Sequence, residues 1–158
     1  MNLKKELDNK IFDIVKIASE KLGYESFVVG GWVRDLLLNN KNKKDIDFVC
    51  IGSGIKLARE VHNLIPNSKI STYSNFGTAL VSCEDINYEF IGARKESYRE
   101  NSRNPIIENG SLEDDQKRRD FTINCLYVKL VGESYGELLD PFNGLIDLKN
   151  KIIKTPLE

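Results

Sequence analysis

Cysteine is scarce in this chain of 158 residues: Cys50, Cys83 and Cys125 stand alone, odd in number and in no CxxC pair. That argues against a zinc site or a disulfide framework and fits a reducing cytoplasm, each thiol serving as a small buried apolar group. Histidine is scarcer still. His62 is the sole one, on a helical stretch, and reads as a surface or packing residue. No apolar run approaches the roughly 18 residues of a transmembrane helix. The opening stretch, "MNLKKELDNKIF", is charged and lacks the apolar centre of a signal peptide. Net charge is only −1, so a large nucleic-acid footprint would need charge clustered on one face or carried by other segments. There is no internal repeat and no low-complexity tract. What is present, 41% hydrophobic and 30% charged residues, suits one globular domain with a single core.

Periodicity places the elements. Leu3, Leu7, Ile11, Ile14, Ala18 and Leu22 recur at helical spacing, which predicts one helix over residues 3–22 with Gly23 as its stop. "SFVVGG" predicts a short buried strand, "WVRDLLLNN" a helix, and "NKNKKD" a polar loop. "DIDFVCI" alternates strictly, with Ile46 and Phe48 on one face and Asp45 and Asp47 on the other. "SGIKLAREVHNLI" predicts a helix capped by Ser53, with Pro66 just past its end. "KISTYS", "GTALVSC" and "NYEFIGARKE" are three further strands. Residues 97–117 are polar and nearly coreless, which predicts a mobile loop entering a short helix near Leu112. "RRDFTINCLYVKL" reads as a turn or short helix followed by a strand. The end of the chain reads as a strand end, a Pro/Gly turn, a short helix and a last strand. The expected fold class is α/β (α+β): a mixed, mostly antiparallel sheet of about five strands, with helices mainly on one side.

An apolar strand usually keeps aspartate out, so "DIDFV" needs a reason. Asp45 and Asp47, two apart on a strand, project from the same face with Cα atoms about 7 Å apart. At that separation each carboxylate raises the other's pKa unless a cation is present. Hard oxygen ligands of this kind suit Mg²⁺, which keeps waters and takes up substrate phosphates. Glu89, among apolar neighbours in "NYEFIGA", is the candidate third carboxylate. Gly30 and Gly31 end one strand and begin a helix. Without a Cβ in the way, the backbone there could approach a phosphate.

The Gly-Gly turn, a helix and Asp-x-Asp on a strand, with thirteen residues between Gly31 and Asp45, resemble the nucleotidyltransferase superfamily that includes DNA polymerase beta. "VGGWVRDLLL", "DIDFV", "RRDFTINCL" and "LLDPFNGLIDLKNKII", in that order, resemble the head domain of class II tRNA nucleotidyltransferases (CCA-adding enzymes) and bacterial poly(A) polymerases. The resemblance runs from about residue 25 onward. It implies that Asp45 and Asp47 bind catalytic Mg²⁺ and that Gly30 and Gly31 lie against the triphosphate. Arg34 and Asp35 would shape the helix start, Arg34 either pairing locally or touching phosphate. Arg118, Arg119, Asp120 and Asn124 would hold the incoming nucleotide. Asp140, Pro141 and Gly144 would be structural, with Asn143 where the family usually has glycine. Arg99 and Arg103, in the polar loop, would be minor contacts.

The resemblance further implies residues 1–24 as an N-terminal helix and 25–158 as the catalytic head. The base-reading neck and the tRNA-gripping body and tail of that family are expected to lie elsewhere. The implied substrates are CTP, ATP and the tRNA 3′ end, in the cytoplasm and without a membrane. Poly(A) polymerase and partial CC-adding or A-adding activity fit the same motifs. A small stand-alone nucleotidyltransferase and a non-catalytic nucleotide-binding module fit less well, because "RRDFTIN" resembles the tRNA-linked branch and both aspartates are retained.

Overall fold

A computed structural model describes residues 1–40, 45–98, 100–103 and 105–157. Helix α1 spans Lys10–Leu22, β1 Ser26–Val29, α2 Gly31–Leu37, β2 Asp45–Cys50 and α3 Gly54–Leu64. Strands β3 Lys69–Tyr73, β4 Thr78–Cys83 and β5 Ile86–Gly92 follow, then β6 Arg94–Tyr98 and β7 Pro105–Asn109. Helix α4 spans Leu112–Lys117, β8 Tyr127–Lys129, β9 Leu138–Leu139 and α5 Gly144–Asn150.

Seven strands form the main sheet, in the order β3-β4-β5-β2-β1-β8-β9, against the five expected. Its two short members, β8 of three residues and β9 of two, fall where the sequence suggested a strand and a strand end; the number of strands in the sheet is what differs. Every described pairing in the sheet is antiparallel except β2 with β5. A parallel pair needs a crossover, and α3 with the β3–β4 hairpin supplies it.

Alternation decides what faces what. Ile46, Phe48 and Cys50 of β2, with Tyr88 and Phe90 of β5, enter the main core beneath α1 and α3. There Phe48 and Phe90 stack with ring centroids 5.1 Å apart, and Phe12 of α1 meets Phe48 edge-on. Burying such a ring contributes about 1.5–3 kcal/mol. The opposite face holds Asp45, Asp47 and Glu89, and beside them a smaller cluster of Phe27, Val29, Val49, Ala93, Cys125 and Tyr127. Two of the three thiols, Cys50 and Cys125, are fully buried, and burial pushes both up to about 12; Cys83 is half-buried.

Four local expectations change. The single helix over 3–22 is a 3₁₀ turn at Lys4–Glu6 followed by α1. The Asn9 side chain accepts the Ile11 N–H and starts a new helix, while Leu3 N–H is taken by the Gly136 carbonyl at 2.7 Å. Gly23 does end α1, in the left-handed conformation. "NYEFIGARKE" is two strands, because Gly92 and Ala93 direct their N–H groups to Gly77 and Cys50 and the chain leaves the sheet. Much of the expected loop over 97–117 is a hairpin, β6 pairing β7 from Arg94↔Asn109 to Tyr98↔Pro105. Arg99 and the 41–44 part of the polar loop lie outside the described residues, and Arg103 is exposed. The expected last strand is absent among residues 151–157: Ile153 is exposed, the Ile152 N–H turns back to the Asp147 carbonyl at 2.9 Å, and the Lys154 carbonyl accepts Thr122 N–H at 2.9 Å. Among the described residues no helix is long and apolar enough to cross a membrane.

Candidate active site

The turn between β1 and α2 is shaped by Gly30, whose φ of 77° and ψ of −141° suit glycine alone. A Cβ placed on Gly30 would stand 3.6 Å from Asp47 Oδ2 and 3.9 Å from Arg119 Nη1. The bare corner therefore lies between a carboxylate and a guanidinium. Gly31 begins α2, with Arg34 Nη2 folded back to 3.4 Å from where its Cβ would be.

Asp47 is half-buried at the centre of the sheet, directly opposite Glu89 in the parallel β2–β5 register. Burial first, then the neighbouring Glu89 charge and a hydrogen bond between the two acids, pushes the Asp47 carboxyl up to about 6. Arg119 pulls the other way and does not prevail. Asp45 is exposed on the same face, opposite Asn87. Among the described residues no three His, Cys, Asp or Glu side chains converge tightly enough to cage an ion unaided. The donor set still fits Mg²⁺, which is held by one or two carboxylates together with substrate phosphates and water. A cation beside Asp47 and Glu89 would relieve the repulsion that raises Asp47.

The "RRDFTIN" stretch approaches from the other side. Asp115 of α4 is fully buried and receives three donors: Arg118 Nη2 at 2.6 Å, Arg119 Nε at 3.0 Å and the Tyr127 hydroxyl at 2.6 Å. Arg119 also donates to the Tyr127 hydroxyl at 3.2 Å and lies 5.6 Å over its ring. Burial alone would lower the Arg119 pKa, but Asp115 and Tyr127 carry it above its ordinary value. Among the described residues, Arg118 Nε and Arg119 Nη2 are buried without a hydrogen-bond acceptor. Asp120 caps its own turn, one oxygen accepting Phe121 N–H at 2.7 Å and Asn124 Nδ2 at 3.1 Å. Arg34 then donates to Asn124 Oδ1 and to Asp35 Oδ1, each at 2.9 Å. Arg34 thus ties α2, through its neighbour Asp35, to the Thr122–Asn124 turn.

The "LLDPFNGLIDL" stretch braces this turn. Asp140 accepts Gly144 N–H at 2.6 Å and Leu145 N–H at 3.0 Å, and Asn143 takes the left-handed conformation that glycine would otherwise supply. Asp147 accepts the Thr122 hydroxyl at 2.6 Å, pinning α5 to the 3₁₀ turn of Thr122–Asn124. A Cβ on Gly144 would collide with the Thr122 carbonyl. His62 is remote from all this, its ring paired with Ser68 Oγ at 2.7 Å.

Sequence reading missed Asp115, Tyr127 and Asp147. An acid three and four residues ahead of two arginines is the helical ion-pair spacing and could have exposed Asp115. No short-range signal marks the other two.

Residues 26–154 match the family model described as the poly A polymerase head domain. The chain is similar to the A-adding tRNA nucleotidyltransferase of Aquifex aeolicus (strain VF5), 41% identical over 133 residues, covering 82% of this chain and 16% of that protein. It is also similar to the CCA-adding enzyme of Geobacillus sp. (strain WCH70), 38% identical over 153 residues, covering 96% of this chain and 35% of that one. Among solved structures, a CCA-adding enzyme in complex with ATP superposes with a TM-score of 0.81 at 30% identity, over 99% of this chain and 37% of that chain. The chain thus spans well under half the length of these relatives.

Proposed function

Because this chain belongs to the poly A polymerase head-domain family, we propose that it is the catalytic head of a tRNA nucleotidyltransferase. In this reading CMP and AMP from CTP and ATP are added to the tRNA 3′ end in the cytoplasm. Residues 1–24 serve as an N-terminal support and 25–158 as the head, with the base-reading and tRNA-gripping parts of the enzyme carried by other segments. The observation that supports it most is the Gly30 corner, with the Asp47 carboxylate on one side and the Arg119 guanidinium on the other.

In the reaction the 3′-hydroxyl gives up its proton to solvent as its oxygen bonds to the α-phosphorus, the bond from α-phosphorus to the bridging oxygen breaks, and pyrophosphate leaves. Asp45 and Asp47, with Glu89 adjacent, would hold Mg²⁺, which supplies Lewis-acid stabilisation of the attacking and leaving oxygens. Gly30 and Gly31 let the phosphates come close to the backbone. Arg118 and Arg119 hold phosphate charge through directional N–H groups. Asp120 and Asn124 present oxygen and amide to the ribose hydroxyls.

Replacing Asp45 or Asp47 by Asn in the full-length enzyme should cut nucleotide incorporation by orders of magnitude while circular dichroism keeps the native signal. Near-wild-type turnover in either variant overturns the reading. A-adding activity alone is a second reading, favoured by the similarity to the Aquifex protein. Sequencing the extended 3′ ends separates CCA, A-only and poly(A) products.

A further inference from the structure

Two arginines side by side repel each other, and a long side chain ordered for catalysis must be held by something. Arg118 and Arg119 are consecutive, yet both guanidinium groups meet on one carboxylate. Asp115 takes Arg118 on Oδ1 and Arg119 on Oδ2, and Tyr127 from β8 adds a hydroxyl to the same Oδ2. The acid has no exposed surface, so its charge has no water to lean on and is neutralised by these donors. It sits well behind the Gly30 corner: Arg119 gives its inner nitrogen, Nε, to Asp115 and Tyr127, while its outer Nη1 faces Gly30 and Asp47. Arg119 Nη2 and Arg118 Nε have no acceptor among the described residues. Such an arrangement grips each fork by part of its donors and leaves Arg119 Nη1 turned toward the Gly30 corner, where an anion could reach it.

We infer that Asp115, with Tyr127 behind it, is a positioning group that aims Arg118 and Arg119 at the phosphates of the incoming nucleotide. The inference rests on the function proposed above. It also gives Tyr127 a part beyond packing against Phe27, whose ring stands edge-on to it at 6.1 Å. Asp115 touches no substrate in this account. Its effect passes entirely through the two arginines.

That distinction is testable on the 158-residue chain, with inorganic tripolyphosphate and Mg²⁺ as the probe and titration calorimetry as the readout. Asp115→Asn keeps the shape but discards the charge, and should weaken binding at least tenfold. Tyr127→Phe keeps the ring and removes one hydroxyl, and should weaken binding about threefold to tenfold. Both substitutions are then repeated in a chain carrying Arg118→Lys and Arg119→Lys. Lysine lacks the planar fork, so in that background neither substitution should change affinity further. Weakening of the same size in both backgrounds would mean general structural damage and would overturn the inference, as would wild-type affinity in the single variants. Should Asp115→Asn unfold, as thermal melting would report, Tyr127→Phe decides alone. If the unaltered chain fails to bind tripolyphosphate with Mg²⁺, the proposed function itself falls and the inference with it. If it binds and only the variants fail to respond, the proposed function stands.

Discussion

Asp47 concentrates the tension of this molecule in one side chain. Its carboxyl is raised to about 6, first by burial and then by Glu89. A group whose folded pKa lies above its unfolded value contributes stability that is full below the ordinary carboxylate range and lost as pH rises through about 6. The metal-free chain should therefore melt at progressively lower temperature between pH 5 and pH 8, by an amount on the order of 1–2 kcal/mol once partial exposure is allowed for. Asp47→Asn should flatten that slope and raise the melting temperature at pH 8, while Mg²⁺ should stabilise the unaltered chain more at pH 8 than at pH 5. Melting curves with chelator and with Mg²⁺ check all three. At this scale the sequence was informative. Asp45, Asp47 and Glu89 declared themselves by sitting in apolar strands, and the structure puts them on one sheet face. Asp115 and Tyr127 did not, because what they do depends on α4 meeting β8, and nothing local in the chain encodes that meeting.

Elements are held in register by their turns. β4 and β5 are joined by Glu84 and Asp85, both with positive φ (51° and 64°), as a type I′ hairpin turn requires. Neither residue is a good choice there, since left-handed backbone costs a non-glycine residue roughly 1–2 kcal/mol. Exchanging the pair for Asn-Gly should raise stability by about 1 kcal/mol in urea melts without altering nucleotide binding. The register matters because a one-residue slip of β5 would turn Glu89 into the core. The capping box of α4 is a second such device: Ser111 accepts Asp114 N–H while Asp114 accepts Ser111 N–H at 2.8 Å. Ser111→Ala should cost about 1 kcal/mol, read from the same melts. Strongly periodic elements were legible in the sequence, α1 and α3 above all. The β6–β7 hairpin was not, because a polar ribbon outside the main sheet carries no alternation to read. The chain end misled in the opposite sense, since "KIIK" has strand-like residues but no strand to pair with among those described.

The whole molecule divides its labour across one sheet. The face beneath α1 and α3 carries the apolar mass, and the other face carries charge and the glycine corner. Among the described residues, the groups that converge on that second face are carboxylates, guanidinium groups, the Asn124 amide and backbone, suited to phosphate and sugar rather than to one nucleobase. The chain alone should therefore bind CTP, ATP and GTP with Mg²⁺ at affinities within a few-fold of one another, as calorimetry would measure. A strong preference for CTP over GTP would refute this. With a net charge of −1 it should also fail to shift tRNA in a gel at physiological salt. The order of motifs along the chain revealed this overall plan. It could not reveal how α5 braces the Thr122–Asn124 turn, because the Thr122–Asp147 bond joins two motifs that look independent when read in line.

The one parallel pairing among those described, β2 with β5, has a consequence for how this chain takes shape. Asp47 and Glu89 share a register only after the polypeptide has left the sheet at Cys50, built α3 and an entire hairpin, and returned at Ile86. A nascent chain halted anywhere along that excursion holds one acid without its neighbour. On a ribosome, the facing pair of acids would thus arrive abruptly, once β5 has emerged, and never in a half-formed version.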